Sequence, residues 1–205
     1  MSQSPKSPTN EPHPDAPTLG LRNAEIGYGT ESVIRQLNLQ VHSGLTAICG
    51  DEGRGKTTLL KAIAGDLSLL SGDREGPVGV WLDLRLPQYD ESTPLQVWKA
   101  MSQKLAQWSE ATQTVIATAL ELDEHLDKRL FMLSTGTRRK VGWVTLIASG
   151  APITCIDQPY AGLDRPSVDV LRRFLNQEAA HPSRAWVIAD YEADPALAWQ
   201  QIVTL

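Results

Sequence analysis

The run Gly50-Asp51-Glu52-Gly53-Arg54-Gly55-Lys56-Thr57-Thr58 constrains this chain more than any other stretch, because it fits G-x-x-x-x-G-K-[ST] in full. Before it stands Leu45-Thr46-Ala47-Ile48-Cys49, a short apolar run of the kind that forms a strand buried on both faces. After it, Lys56–Ala64 reads as a helix with Leu59, Leu60 and Ile63 on one side and Gly65 as its stop. Strand, glycine-rich loop and helix make a phosphate cradle. Glycines let backbone N–H groups turn inward onto phosphate oxygens, and the helix presents its positive end to them. In such a cradle Lys56 reaches the β- and γ-phosphates of a nucleoside triphosphate and the Thr57 hydroxyl ligates Mg²⁺. The expected ligands are therefore ATP and Mg²⁺, with Gly50 through Thr58 as the binding loop.

A second carboxylate should complete the metal site. Ile153-Thr154-Cys155-Ile156-Asp157 is an apolar strand ending in an acid, which is where such a group is needed. The rest of the chain alternates in the same way. Leu19–Val41 reads as an antiparallel hairpin turning near Gly27–Gly29, and Val78–Leu84 as a further strand. Leu95, Trp98, Met101, Leu105 and Trp108 recur at helical spacing, and a second helix is expected over Ala111–Leu120. A helix from Ser134 to about Ala148, one at Ser167–Gln177, and strands at Trp186–Ala189 and Gln201–Leu205 complete an α/β pattern, with an inserted helical block over about 90–133. Trp98 and Trp108 read as core of that block rather than as a contact surface.

Composition narrows the partners. At 205 residues with 41% hydrophobic side chains the chain suits one domain with a substantial core, here residues 18–205. A net charge of −5 and the lack of any Lys/Arg run argue against a nucleic-acid partner. Cys49 and Cys155 each sit in an apolar strand, which fits reduced thiols and a cytoplasmic setting rather than a disulfide scaffold. No apolar stretch is long enough to span a bilayer, so any membrane role would require docking onto a separate membrane subunit. Residues 1–17, rich in Pro and Ser, read as a disordered tail.

Leu133-Ser134-Thr135-Gly136-Thr137, followed by Arg138-Arg139-Lys140 and a helix, resembles the L-S-G-G-Q signature of ATP-binding-cassette (ABC) proteins. Twenty-one residues separate Gly136 from Asp157, much as in that family, and Ala161-Gly162-Leu163-Asp164 looks like its D-loop. The resemblance covers about residues 18–205 and is nearest to small transport ATPase subunits such as the heme-exporter type. It implies an ABC-type P-loop NTPase fold, with a mainly parallel core sheet, an antiparallel β edge and a helical insertion. It also implies a head-to-tail dimer with a second ABC domain, the same chain or a different one, in which Ser134 and Gly136 contact ATP held by the partner. Asp164 belongs to the same nucleotide sandwich, and Tyr28 stands where the family stacks an aromatic ring on adenine. A separate transmembrane permease would dock near Gln88 and the helical block, placing the protein on the inner face of the membrane. Ser134 read alone is equally a helix N-cap, and Tyr28 a surface aromatic.

Four positions depart from the family pattern. Gln158 follows Asp157 where the family has a glutamate that activates water, and an amide cannot accept a proton as a carboxylate does. Tyr191 stands where the family has a histidine on the γ-phosphate. Thr135 and Thr137 replace a glycine and a glutamine of the signature. The residue for the metal and water contact of the Q-loop is Gln88 by its chemistry or Asp83 by its place at the strand end. Gln158, Tyr191 and Gln88 are the expected catalytic positions, Thr57, Asp157 and Gln88 the metal positions, and slow hydrolysis the expected outcome. A soluble regulatory clamp without a transport role is the alternative reading. A P-loop kinase or GTPase would leave Leu133–Thr137 unexplained.

Overall fold

The computed structural model describes residues 18–205; the expected disordered tail, 1–17, lies outside them. Two sheets carry the fold. The first is antiparallel, in the order β2-β1-β4, and is built from β1 (Leu19–Tyr28), β2 (Glu31–Val41) and β4 (Ser71–Glu75). The second is parallel, in the order β5-β6-β7-β3-β8, with β3 (Gly44–Cys49), β5 (Val80–Trp81), β6 (Ile153–Asp157), β7 (Ala185–Asp190) and β8 (Gln201–Thr204). The apolar runs expected at 45–49, 153–156 and 186–189 are its three central strands, buried on both faces as parallel strands covered by helices must be.

The helices are α1 (Lys56–Ile63), α2 (Pro94–Ser102), α3 (Glu110–Ala119), α4 (Thr135–Ala148) and α5 (Arg165–Glu178). α1 packs between the two sheets, where Leu59, Leu60 and Ile63 join Leu19, Ile26 and Ile48 in one core. On the other face of the parallel sheet, α4 and α5 pack with the helical block, burying Trp143, Trp186, Leu171 and Trp98. The Trp98 indole N–H donates to Val141 O across 3.2 Å and so fastens α2 to α4.

Two expectations need correction, and one strand was not expected. The strand expected over Val78–Leu84 pairs with β6 only through Val80 and Trp81. Pro77 precedes it, and past Leu82 the Asp83 carboxylate accepts from the Arg85 backbone N–H at 3.0 Å and bends the chain out of the sheet. The helix expected to run from Leu95 to Trp108 stops at Ser102, where the N–H groups of Lys104 and Leu105 both go to Met101 O. Trp108 still packs against the core, in a turn rather than a helix, with its indole N–H on Gln113 Oε1. Strand β4 had no alternating pattern to announce it; Ser71-Gly72-Asp73-Arg74-Glu75 is held by its ladder to β1.

Candidate nucleotide site

β3, β7 and β6 lie side by side and end together, at Cys49, Asp190 and Asp157. Adjacent strands are about 4.8 Å apart, so β3 and β6 are separated by roughly 10 Å, and the loop leaving β3 must fold back over the end of β7 to meet β6. It does so through left-handed backbone at Gly53 and Gly55, with φ of 79° and 92°. Gly55 is also the N-cap of α1, and a Cβ there would stand 2.9 Å from Val33 and Ile34 side-chain carbons. The first α1 bond runs from Leu59 N–H to Gly55 O, which leaves the N–H groups of the first turn without intrahelical partners.

The result is a cleft lined by Glu52, Gly53, Gly55, Lys56, Thr57, Thr58, Asp157, Gln158 and Tyr191, with Val33 and Arg85 completing its walls. Gly50, Asp51 and Arg54 line an adjoining recess that also reaches Tyr191. The Thr57 hydroxyl stands 2.5 Å from Asp157 Oδ2, although 100 residues separate them. A hydroxyl and a carboxylate converging at the start of a helix form the hard-oxygen donor set that Mg²⁺ takes, so these residues fit the metal. Lys56 Nζ bonds to the carbonyls of Gly50 (2.5 Å) and Asp51 (2.8 Å) and lies 4.9 Å from the Tyr191 ring centroid.

Gln158 holds left-handed backbone, φ 49°, and is fixed from both sides. Its N–H donates to Ala189 O at 2.8 Å, and its carbonyl accepts from Arg139. Arg139 bonds to Asp157 O as well, at 2.9 Å. Burial pulls the Arg139 guanidinium down from its ordinary value, as does nearby Arg85, against the attraction of Asp83, Asp157 and Asp190. Asp83 is bound to Arg85 by two side-chain contacts, Nε–Oδ1 at 2.8 Å and Nη2–Oδ2 at 2.9 Å. Burial works to raise the Asp83 carboxyl, but the Arg85 bonds and charge outweigh it and hold it below the ordinary value.

Other candidates stand apart. Gln88 is exposed in a short 3₁₀ helix, Pro87–Tyr89, and does not line the cleft; Arg85 does. Tyr28, half exposed at the end of β1, lies 5.9 Å from Lys61 Nζ and is outside the cleft walls. Ser134 caps α4, accepting from Thr137 N–H at 3.1 Å, and Asp164 caps α5, accepting from Ser167 N–H at 2.8 Å. These two caps are neighbours. A Cβ on Gly136 would fall 2.2 Å from Gly162 O, and Lys140 Nζ stands 2.7 Å from Asp164 Oδ2. The Lys140 and Ser167 bonds hold the Asp164 carboxyl well below the usual carboxylate range. Arg85, Arg139 and Lys140 had no role assigned from sequence; the basic run after the signature is a visible signal, but its partners are set by the fold.

The sequence model of the ABC transporter family matches residues 34–161. The chain belongs to the ABC transporter family. Among relatives of this ABC protein, the cytochrome c biogenesis ATP-binding export protein CcmA of Ruegeria pomeroyi is 30% identical over 169 residues, spanning 78% of this chain and 80% of its own. The zinc import ATP-binding protein ZnuC of Halorhodospira halophila is 28% identical over 195 residues, 90% of this chain and 72% of its own. An ABC transporter ATP-binding protein from Pyrococcus furiosus shares the fold, with a TM-score of 0.72 at 23% identity, covering 91% of this chain and 96% of that one. This ABC domain thus has the expected P-loop α/β architecture, and no helix among its described residues is long and apolar enough to cross a membrane.

Proposed function

We propose that this chain is the ATP-binding subunit of an ABC transporter whose nucleotide capture is intact and whose hydrolysis is slow. One observation carries the reading: the Thr57 hydroxyl meets the Asp157 carboxylate at 2.5 Å, and the next residue, lining the same cleft, is an amide rather than an acid. Thr57 and Asp157 would hold Mg²⁺, which supplies charge neutralisation on the phosphates. The loop N–H groups and Lys56 bind and orient the triphosphate. Gln158 can hold a water by hydrogen bonds but has no basic site to take its proton, and Tyr191 can donate a hydrogen bond but brings no switchable charge.

Dimerisation follows from where the signature lies. Ser134 and Gly136 do not line this chain's phosphate cleft, and Ser134 is exposed at the start of α4. That placement suits contact with a nucleotide held by a second ABC domain, whether an identical chain or not, as does Asp164 beside it. Gln88, exposed beyond β5, and the helical block suit docking of a separate permease, which would keep the protein at the inner, cytoplasmic face of a membrane. The relatives' names include both an import and an export protein, which supports a reading in which the membrane partner sets cargo and direction. The amide at Gln158 also favours a second reading, a nucleotide-gated clamp in which ATP closes the dimer and turnover contributes little.

Steady-state ATPase with purified protein before and after Gln158→Glu tests this. General-base assistance is worth about 10²-fold or more, so turnover should rise by about that factor. Brisk wild-type turnover, unchanged by the substitution, overturns slow hydrolysis. Copurification with a multi-helix membrane protein separates the subunit from the clamp.

A further inference from the structure

The phosphate cleft has a second cation that neither the loop motif nor the signature contributes. Arg85 lies two residues past the bend at Asp83 and forms part of the cleft wall with Lys56, Thr57, Asp157 and Gln158. Its guanidinium is oriented rather than free. Asp83 takes Nε and Nη2 in a side-on pair at 2.8 and 2.9 Å and also accepts from the Arg85 backbone N–H at 3.0 Å. Asp83 itself is well covered, with only 17% of its side chain exposed, whereas the Arg85 side chain is 54% exposed. The carboxylate is thus a fixed anchor, and the arginine extends from it toward the open cleft. A guanidinium has five N–H donors in a planar fork. The pair with Asp83 uses one edge, and among the described residues the Nη1 side has no other hydrogen-bond partner.

Charge placement explains why an arginine is held there. Asp157 faces the same cleft, and the attraction between Asp157 and Arg85 adds to the Asp83 bond in keeping the guanidinium charged. Arg139 bonds through Nη1 to the carbonyls of Asp157 and Gln158 and lies outside the cleft lining. Of the two, Arg85 is the one that lines the phosphate cleft. Arg85 lines the same cleft as Lys56, Thr57, Asp157 and Gln158, so a triphosphate held there lies within the walls to which the guanidinium belongs. A planar fork matches phosphate oxygens geometrically, and an arginine held by a carboxylate loses little freedom when it binds.

We propose that Arg85, anchored by Asp83, is a phosphate-binding residue that lets this cleft distinguish a triphosphate from a diphosphate. It supplies from within the chain a fixed positive charge to the cleft that the Tyr191 phenol does not bring. The assignment rests on the ATP reading above, and it gives the bend after β5 a chemical role distinct from a glutamine contact to metal. A purely structural Asp83–Arg85 pair would stiffen the bend and leave nucleotide preference untouched.

Isothermal titration of the full chain with Mg²⁺ and either a non-hydrolysable ATP analogue or ADP tests it, alongside thermal midpoints. A charge-assisted phosphate contact is worth about ten-fold in affinity, so Arg85→Gln should weaken the ATP analogue by about that factor and leave ADP within about two-fold. Arg85→Lys should fall between, keeping charge without the fork, and Asp83→Asn should reduce the same preference by loosening the anchor. Equal affinities of Arg85→Gln and wild type for the ATP analogue, or a proportional loss for both nucleotides, overturns the role of Arg85. A wild type that binds neither nucleotide overturns the ATP reading and this role with it.

Discussion

Arg139 donates to the carbonyls of both Asp157 and Gln158, so a side chain from the second turn of α4 fixes the residue that stands beside the phosphate cleft. The backbone there needs fixing. Left-handed φ on a residue with a Cβ costs about 1–2 kcal/mol, and such strain persists only where surrounding bonds over-determine it. Gln158 has three such bonds, from its N–H to Ala189 O and from Arg139 and the Ala161 N–H to its carbonyl. Replacing Arg139 with Met takes the side-chain donor from two partly buried carbonyls, of which that of Gln158 keeps the Ala161 N–H at 3.3 Å, and this should cost about 1–3 kcal/mol by urea denaturation. If Arg139 positions Gln158, the gain in turnover from Gln158→Glu should shrink in the Arg139→Met background. Simple additivity of the two changes would reduce Arg139 to a structural residue.

Gly136 and Gly162 bring the signature and the D-loop into contact within one chain. The Cβ of an alanine at 136 would fall 2.2 Å from Gly162 O, a backbone atom that can retreat only by moving the loop. Overpacking of this kind costs about 1–3 kcal/mol, so Gly136→Ala should lower stability by that amount and push the start of α4 from the D-loop. At Gly162 the added Cβ meets nothing nearer than 3.7 Å, but φ is 75°. Gly162→Ala should therefore cost only the left-handed penalty, about 1 kcal/mol. Urea midpoints for the pair distinguish contact from conformation; equal losses would contradict the contact.

Much of this layout is legible in the sequence because its strongest signals are local. β3, β6 and β7 are continuous apolar runs, and the loop after β3 matches a phosphate cradle residue by residue. The start of α4 is announced by Ser134, whose side chain bonds its own helix N-terminus, whereas the cap at Asp164 starts α5 at Arg165, two residues before the Ser167 expected from sequence. What escapes is whatever depends on a distant partner. β4 is polar throughout and exists because β1 offers it a ladder. The short extent of β5 follows from Asp83 bonding back to Arg85, a competition that apolar periodicity does not register. Arg85 in the cleft and Arg139 on Gln158 escape for the same reason: a lone arginine in sequence is most often a solvated surface charge. Gln88, chosen for its chemistry, lies in an exposed 3₁₀ helix outside the cleft lining, a placement that side-chain type alone does not announce.

Asp164 and Lys140 make stability depend on pH in a direction that can be worked out. The bond from Lys140, followed by those from Ser167, holds the Asp164 carboxyl well below its unfolded value of 3.8. A group whose folded pKa is depressed adds stability above its unfolded pKa and loses it as pH falls toward the folded one. The carboxylate is half exposed, so solvent screens part of the attraction, whereas Lys140 is only 11% exposed and would be left without its countercharge. Asp164→Asn keeps the helix cap, since Asn caps as well as Asp, and removes only the charge. The variant should be less stable than wild type at about pH 7 and still so at about pH 5, with the gap closing below about pH 4 as the wild-type carboxyl takes up its proton. Asp83 and Asp194 are also held low, each raised by burial but lowered further by its arginine partner, so both proteins lose stability in acid and only their difference reports Asp164. Urea midpoints at the three pH values measure it. Equal stability of variant and wild type at all three pH values would mean that the Lys140 contact contributes no titrating stability and that Asp164 acts through its cap alone.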